Sequence, residues 1–241
     1  MDLKDIIAIV TAIASLISAV ATLIQVVKKR KITIVIKSWG IWISVILTVI
    51  FISSTIWLWT TPPADTSRYG FEAGSMGWIP QTHVTDQGII EVAQSTDRAK
   101  LGRHSLKLTA DLEGGHPNRS KGEAYMEIPI QNLENKPISV WVYVPKELLG
   151  DPAKPNGIQV FVKDGSWRGE YGTWLDITPA RADTWFQVTL VPGRLAPPDG
   201  YMAPDFDPTQ IRAVGVKVAI GEGSTYTYRG QIYVDVVDWP E

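Results

Sequence analysis

Four segments of this chain alternate between plain aliphatic residues and a second set that mixes aromatic rings with polar groups. The aliphatic sets are Ala124, Met126 and Ile128; Ile138, Val140, Val142 and Val144; Ile158, Val160 and Val162; and Val214, Val216, Val218 and Ile220. Opposite them stand Tyr125 and Glu127; Ser139, Trp141 and Tyr143; Gln159, Phe161 and Lys163; and Gly215, Lys217 and Ala219. Side chains alternate across a strand, so each segment has a core face and an outward face. A merely solvated face would carry Thr, Ser, Lys and Glu. Rings beside Gln, Glu and Lys supply something more: a flat apolar surface for the C–H face of a sugar, and planar or charged groups for its hydroxyls. A second reading makes these rings structural, paired across strands or covered by a loop.

Catalytic patterns are poor. His83, His104 and His116 have no metal-ligand spacing. HExxH, Gly-x-Ser-x-Gly and phosphate-loop patterns do not occur in the sequence. Glu170, Asp176, Asp205 and Asp207 include candidates for a glycosidase pair, yet isolated loop acids are usually solvated, so no enzyme is expected. The absence of cysteine excludes disulfides, thiol catalysis and a cysteine-ligated zinc. A net charge of −2 supplies no field for nucleic acid. Asn118, Arg119 and Ser120 form a glycosylation sequon.

The elements around these residues fall into two regions. Residues 6–27 carry no charge and, as a helix, would reach ~33 Å, about the thickness of a bilayer core. Lys28, Lys29, Arg30, Lys31 and Lys37 follow, then a second uncharged run over 38–61 with Trp39 and Trp42 near one end and Trp57 and Trp59 near the other. These patterns predict two transmembrane helices, about 5–28 and 38–60, joined by a basic cytoplasmic loop with both termini outside the cell. Two alternatives are a signal peptide cleaved after Ala19, Val20 and Ala21, and an amphipathic helix lying flat. The leading Asp2 and Asp5 argue against the first. The uncharged face of Thr11, Ser15, Ser18 and Thr22 argues against the second and suits helix–helix packing, including self-association. Membrane lipid is thus an expected partner. Residues 63–68 form a short polar linker.

Residues 69–241 read as all β. Period-2 runs occur at 89–94, 105–110, 124–130, 138–144, 158–163, 174–177, 185–190, 214–220 and 232–237, with turn residues between them. About nine or ten strands with no clear helix, save one possible turn at 146–150, predict a two-sheet sandwich.

Two stretches carry a family resemblance. Near the C terminus, Gly230 precedes Ile232, Val234 and Val236 alternating with Tyr233 and Asp235; near the start of the region come Phe71, Glu72, Gly74, Gly77 and Trp78. The first resembles the closing strand, and the second the opening strand, of jelly-roll (galactose-binding-like) carbohydrate-binding modules. The resemblance covers roughly the last two-thirds of the chain. It implies a jelly-roll β-sandwich that binds glycan across a concave sheet. Carried over by position, the ligand face is Tyr125, Glu127, Trp141, Tyr143, Gln159, Lys163 and Lys217. The run 163–174 resembles the aromatic loop bordering the groove in such modules and adds Trp167, Arg168, Tyr171 and Trp174. The family often holds a structural Ca²⁺ near its first and last strands; the matching positions are Glu72 and Asp235, with Asp238 a weaker third. Val236 stands where the family often has a further acid.

The expectation is a membrane-anchored, non-catalytic carbohydrate-binding protein, its sandwich extracellular or periplasmic. Two rivals are a surface or assembly module using the sandwich for protein contacts, and a membrane effector with a cytoplasmic ligand-sensing sandwich.

Overall fold

The computed structural model describes residues 47–49, 51–52, 67–83, 85–194 and 200–241. The chain divides into Met1–Thr61 and Pro62–Glu241. Residues 47–49, 51 and 52 are helical, within the second expected membrane span, and Leu47, Val49 and Phe51 are exposed. Among the described residues no helix is long and apolar enough to cross a membrane. The rest of the expected hairpin and its basic loop, and most of the linker, lie outside the described residues.

The second unit is mostly β. Its strands are β1 (Ile79–Pro80), β2 (Ile89–Ser95), β3 (Ser105–Glu113), β4 (Lys121–Gln131), β5 (Ile138–Tyr143), β6 (Gly150–Asp151), β7 (Lys154–Pro155), β8 (Gly157–Asp164), β9 (Gly169–Tyr171), β10 (Leu175–Asp176), β11 (Trp185–Leu190), β12 (Tyr201–Met202), β13 (Ile211–Ala219) and β14 (Thr227–Asp238). A short 3₁₀ turn at Lys146–Leu148 occupies the expected helical spot. One sheet has seven strands in the order β1-β4-β13-β8-β9-β12, with β10 also on β8; a second has five in the order β11-β5-β14-β3-β2. The longer strands alternate between sheets along the chain, from β3 to β4, β5, β8, β11, β13 and β14. Every pairing is antiparallel. This is the two-sheet winding of a jelly roll.

The four aliphatic sets meet in one core. Met126, Val160 and Val216 from the larger sheet pack with Val142, Leu108 and Val234 from the smaller, all 0–1% exposed. Branched side chains fit a pleated surface, and burying each stabilises the fold by about 1.5–3 kcal/mol before entropy is counted. The sets do not share one sheet, however. Ile138–Tyr143 lies in the five-stranded sheet and looks back at the other three across the core.

Two local expectations are corrected. In β14 the alternation slips between Asp235 and Asp238, where Val236 takes φ +49°. Val236 leaves the core and Val237 enters it. A bulge inserts one residue and flips the pattern beyond it. The stretch 71–78 forms turns, not an opening strand: Phe71, Gly74, Met76 and Gly77 all have positive φ, which breaks pairing. Phe71 and Trp78 instead pack edge to face beneath it, 6.1 Å apart.

Candidate functional site

The outward face of the seven-stranded sheet is a lattice of side chains in rows. Its central row runs across five strands, with Tyr125, Gly215, Phe161, Tyr171 and Tyr201 as successive cross-strand partners. On one side lies the row Glu123, Lys217, Gln159; on the other, Glu127, Ala213, Lys163. Gly215 is required: a Cβ there would stand 2.3 Å from the Phe161 ring, which lies across it. Phe161 in turn stacks on Tyr171, with centroids 5.1 Å apart.

Beside this row opens a groove of about 970 Å³. Tyr171, Trp174 and Tyr201 supply its rings, and Glu123, Gln159 and Lys217 are among its polar lining. Trp174 crosses over Gly157, where a Cβ would meet the indole at 2.1 Å. Its Nε1 donates to Asp176 Oδ1 at 2.9 Å, fixing the plane of the ring. Tyr201, 56% exposed, stands at the edge of the sheet. The polar groups are also held in place. Lys217 Nζ donates to Gln159 Oε1 at 3.0 Å, and Gln159 Nε2 donates to the Gly172 carbonyl at 2.8 Å. Lys163 Nζ donates to the Tyr171 hydroxyl at 2.9 Å, and that hydroxyl donates to Glu123 Oε1 at 3.1 Å. Burial pushes the Tyr171 phenol well above its ordinary range, with the Glu123 carboxylate adding to the effect. Burial also pushes the Lys163 and Lys217 ammonium groups down.

Of the residues expected on the ligand face, the groove brings together Gln159, Tyr171, Trp174 and Lys217. Tyr125, Glu127 and Lys163 share the sheet face but sit beyond the groove's lining. Trp167 and Arg168 occupy the turn between β8 and β9. Asp164, 1% exposed, accepts there from Ser166 N and Arg168 N, both at 2.9 Å. Trp167 packs edge-on to Tyr125 at 5.9 Å under the Arg212 guanidinium at 4.3 Å. Arg212 also pairs with Glu127 at 2.8 Å. Glu123 and Tyr201 were missed in sequence. Glu123 precedes the run recognised in β4 by one residue, and the two-residue β12 has no period to read.

Trp141 and Tyr143 lie on the outer face of the other sheet, and the loop between β2 and β3 covers them. Arg98 sits 4.1 Å over the Tyr143 ring, and Lys100 Nζ sits 3.9 Å over Trp141. The two residues expected to bind calcium hold this loop down. Asp235 is fully buried; its Oδ2 accepts from Lys100 N (2.6 Å) and Leu101 N (3.2 Å), and its Oδ1 from Val236 N (2.8 Å). Glu72 Oε1 accepts from Arg103 N (2.6 Å) and His104 N (2.9 Å), while Oε2 meets the His104 ring at 2.9 Å. These oxygens already face N–H donors, the opposite of what a cation requires. Among the described residues no three His, Asp or Glu side chains form a metal-holding group. The pair does not fit a calcium site.

No family model and no curated protein sequence matches the chain. Solved structures resemble it at a distance. One belongs to a study of promiscuous specificity in carbohydrate-binding modules of the β-sandwich superfamily; it is 22% identical with a TM-score of 0.48, over 74% of this chain and 63% of that one. A xylan-binding domain from Paenibacillus barcinonensis is 15% identical with a TM-score of 0.41, over 73% of this chain and 96% of that one. A family 11 carbohydrate-binding module of a Clostridium thermocellum cellulosomal cellulase is 11% identical with a TM-score of 0.44, over 73% and 93%. The chain thus spans less than two-thirds of the first of these. At such distances the function of this chain rests on its own groove.

Proposed function

We propose that the sandwich is a non-catalytic glycan-binding module that takes a polysaccharide chain along the groove on its seven-stranded sheet. The observation that carries this reading is the pairing, in one open groove, of three rings with pre-positioned polar groups: Tyr171, Trp174 and Tyr201 with Gln159, Lys217 and Glu123. Rings take the C–H faces of sugars, and groups already fixed by hydrogen bonds lose little entropy on binding. The hydrophobic and basic pattern of residues 1–62 supports a membrane anchor that displays the module outside the cell. Protease added to intact cells should then remove the sandwich, and full protection would exclude that display.

The test of the binding reading is Trp174→Ala. It should weaken binding to a responsive polysaccharide by about ten-fold or more, the equivalent of losing one well-placed contact. The melting temperature should hardly move, because the ring lies outside the core cluster. Failure of the wild-type chain to bind any polysaccharide overturns the reading.

A further inference from the structure

The groove lining balances Lys121, Lys154 and Lys217 against Glu123, Asp176 and Glu222, but three lysines (Lys121, Lys217 and, just beyond the lining, Lys163) surround the single carboxylate of Glu123. Lys217 faces Glu123 as its cross-strand partner, Lys121 begins the same strand as Glu123, and Lys163 reaches the Tyr171 hydroxyl from the far row. Lys163 and Lys217 Nζ lie 4.8 and 5.2 Å from the centre of the Tyr171 ring. Each ammonium has three donors. Each is half-buried and gives one hydrogen bond, to a neutral oxygen: the Tyr171 hydroxyl for Lys163 and Gln159 Oε1 for Lys217. Neither takes part in an ion pair among the described residues. The remaining charges are accounted for. Glu123, 5% exposed, accepts from Tyr171 and is the one carboxylate whose charge partly offsets the burial of both Lys163 and Lys217; Asp176 accepts from Trp174, and Lys154 donates to the Gly223 carbonyl at 2.6 Å. Glu222, on the turn after β13, is exposed, and His116 Nε2 faces Asp86 at 3.4 Å.

Partly desolvated ammonium groups are costly unless an opposite charge meets them. A neutral hydroxyl offers only a dipole, whereas a carboxylate or sulfate restores the lost solvation and accepts several N–H groups at once. We propose that the groove selects an acidic polysaccharide, seating an anionic group of one sugar at Lys217 beside Tyr171, with Lys121 and Lys163 adding to the field. This rests on the glycan-binding reading above. Burial lowers the proton affinity of both Lys163 and Lys217, and an anion in place would raise it again.

The experiment measures binding of the full chain to two matched pairs: polygalacturonate against its methyl ester, and dextran sulfate against dextran. Each pair holds the backbone constant and changes the charge, so the two arms separate carboxylate from sulfate. The expected result is that one acidic polymer binds about ten-fold tighter than its uncharged counterpart. The preference should shrink between about 50 and about 500 mM salt. Lys217→Met, similar in shape but uncharged, should remove the preference, and Trp174→Ala should weaken the acidic ligand as well. Equal affinity within both pairs, or a preference that survives Lys217→Met, overturns the proposal. Acidic binding indifferent to Trp174→Ala is bulk charge attraction and also overturns it. Trp174-dependent binding of uncharged polymers alone sinks the charge selectivity and leaves the glycan reading standing. No binding to any polymer sinks both.

Discussion

The two outer faces of this sandwich are built from the same residue types and end differently. On the seven-stranded sheet, Tyr171 and Trp174 stand beside Lys217 and Gln159 and open onto a groove. On the five-stranded sheet, Trp141 and Tyr143 meet Lys100 and Arg98, but these cations come from the chain's own loop. One face has its rings covered by the chain's own loop, and the other leaves its rings facing an open groove. The decisive parts are two acids. Asp235 and Glu72 tie the backbone of that loop down through four N–H groups. The groove has no loop tied across it in this way among the described residues. An aromatic and cationic sheet face is thus not a binding site until one asks whether the chain already covers it.

The largest expected effect comes from cutting the tie on the covered face. Asp235→Ala leaves three N–H donors without their acceptor and should cost about 3–5 kcal/mol, or on the order of 10 °C in melting temperature. Polysaccharide affinity of the folded fraction should stay unchanged. If binding falls in step, the two faces are not independent and the comparison breaks.

Next comes Trp141→Ala. It should lose about 2 kcal/mol through lost packing and the Lys100 contact, visible as a lower denaturant midpoint. Its glycan affinity should match the wild type. Lost affinity with an unchanged midpoint would return Trp141 to the ligand face.

Gly157→Ala acts on the open face without removing a ring. The new methyl must displace Trp174, since it would stand 2.1 Å from the indole. Affinity should drop about ten-fold in titration calorimetry, near 1.4 kcal/mol. Unaltered affinity would mean that the position of Trp174 is immaterial.

A smaller effect is expected from Lys217→Met in the absence of ligand. Burial lowers the Lys217 pKa in the folded chain below its ordinary 10.5. The unfolded chain then holds that proton more tightly, so wild-type stability rises with pH across the interval up to 10.5. The variant should melt about a degree or two higher at neutral pH. That gain should fade as pH approaches 10.5. A variant that melts lower at every pH would show that Lys217 is stabilising.

The smallest effect is none: a calcium chelator should leave the melting temperature of the wild-type chain unchanged, because N–H groups already occupy the oxygens of Glu72 and Asp235. A drop on chelation that added calcium reverses would restore the calcium site.

By itself, the sequence determined which faces are core. Alternation has a period of two and is written in neighbouring residues, so Val140, Val160 and Val216 could be assigned to the interior without any partner in view. Alternation also placed Gln159 and Lys217 on an outward face, whereas Tyr171 and Trp174 were reached only through the family resemblance of the 163–174 loop. Tertiary structure alone decided which outward face each strand presents. That choice depends on pairing between strands far apart, and nothing local separates 138–144 from 158–163, though they joined opposite sheets. The same holds for coverage: the contact that closes the loop over Trp141 joins Lys100 to Asp235 across 135 positions. Even the alternation failed at Val236, where a bulge reset the period. Period-2 patterning is a local property of the backbone, whereas occupancy of a face is settled by whichever distant segment reaches it.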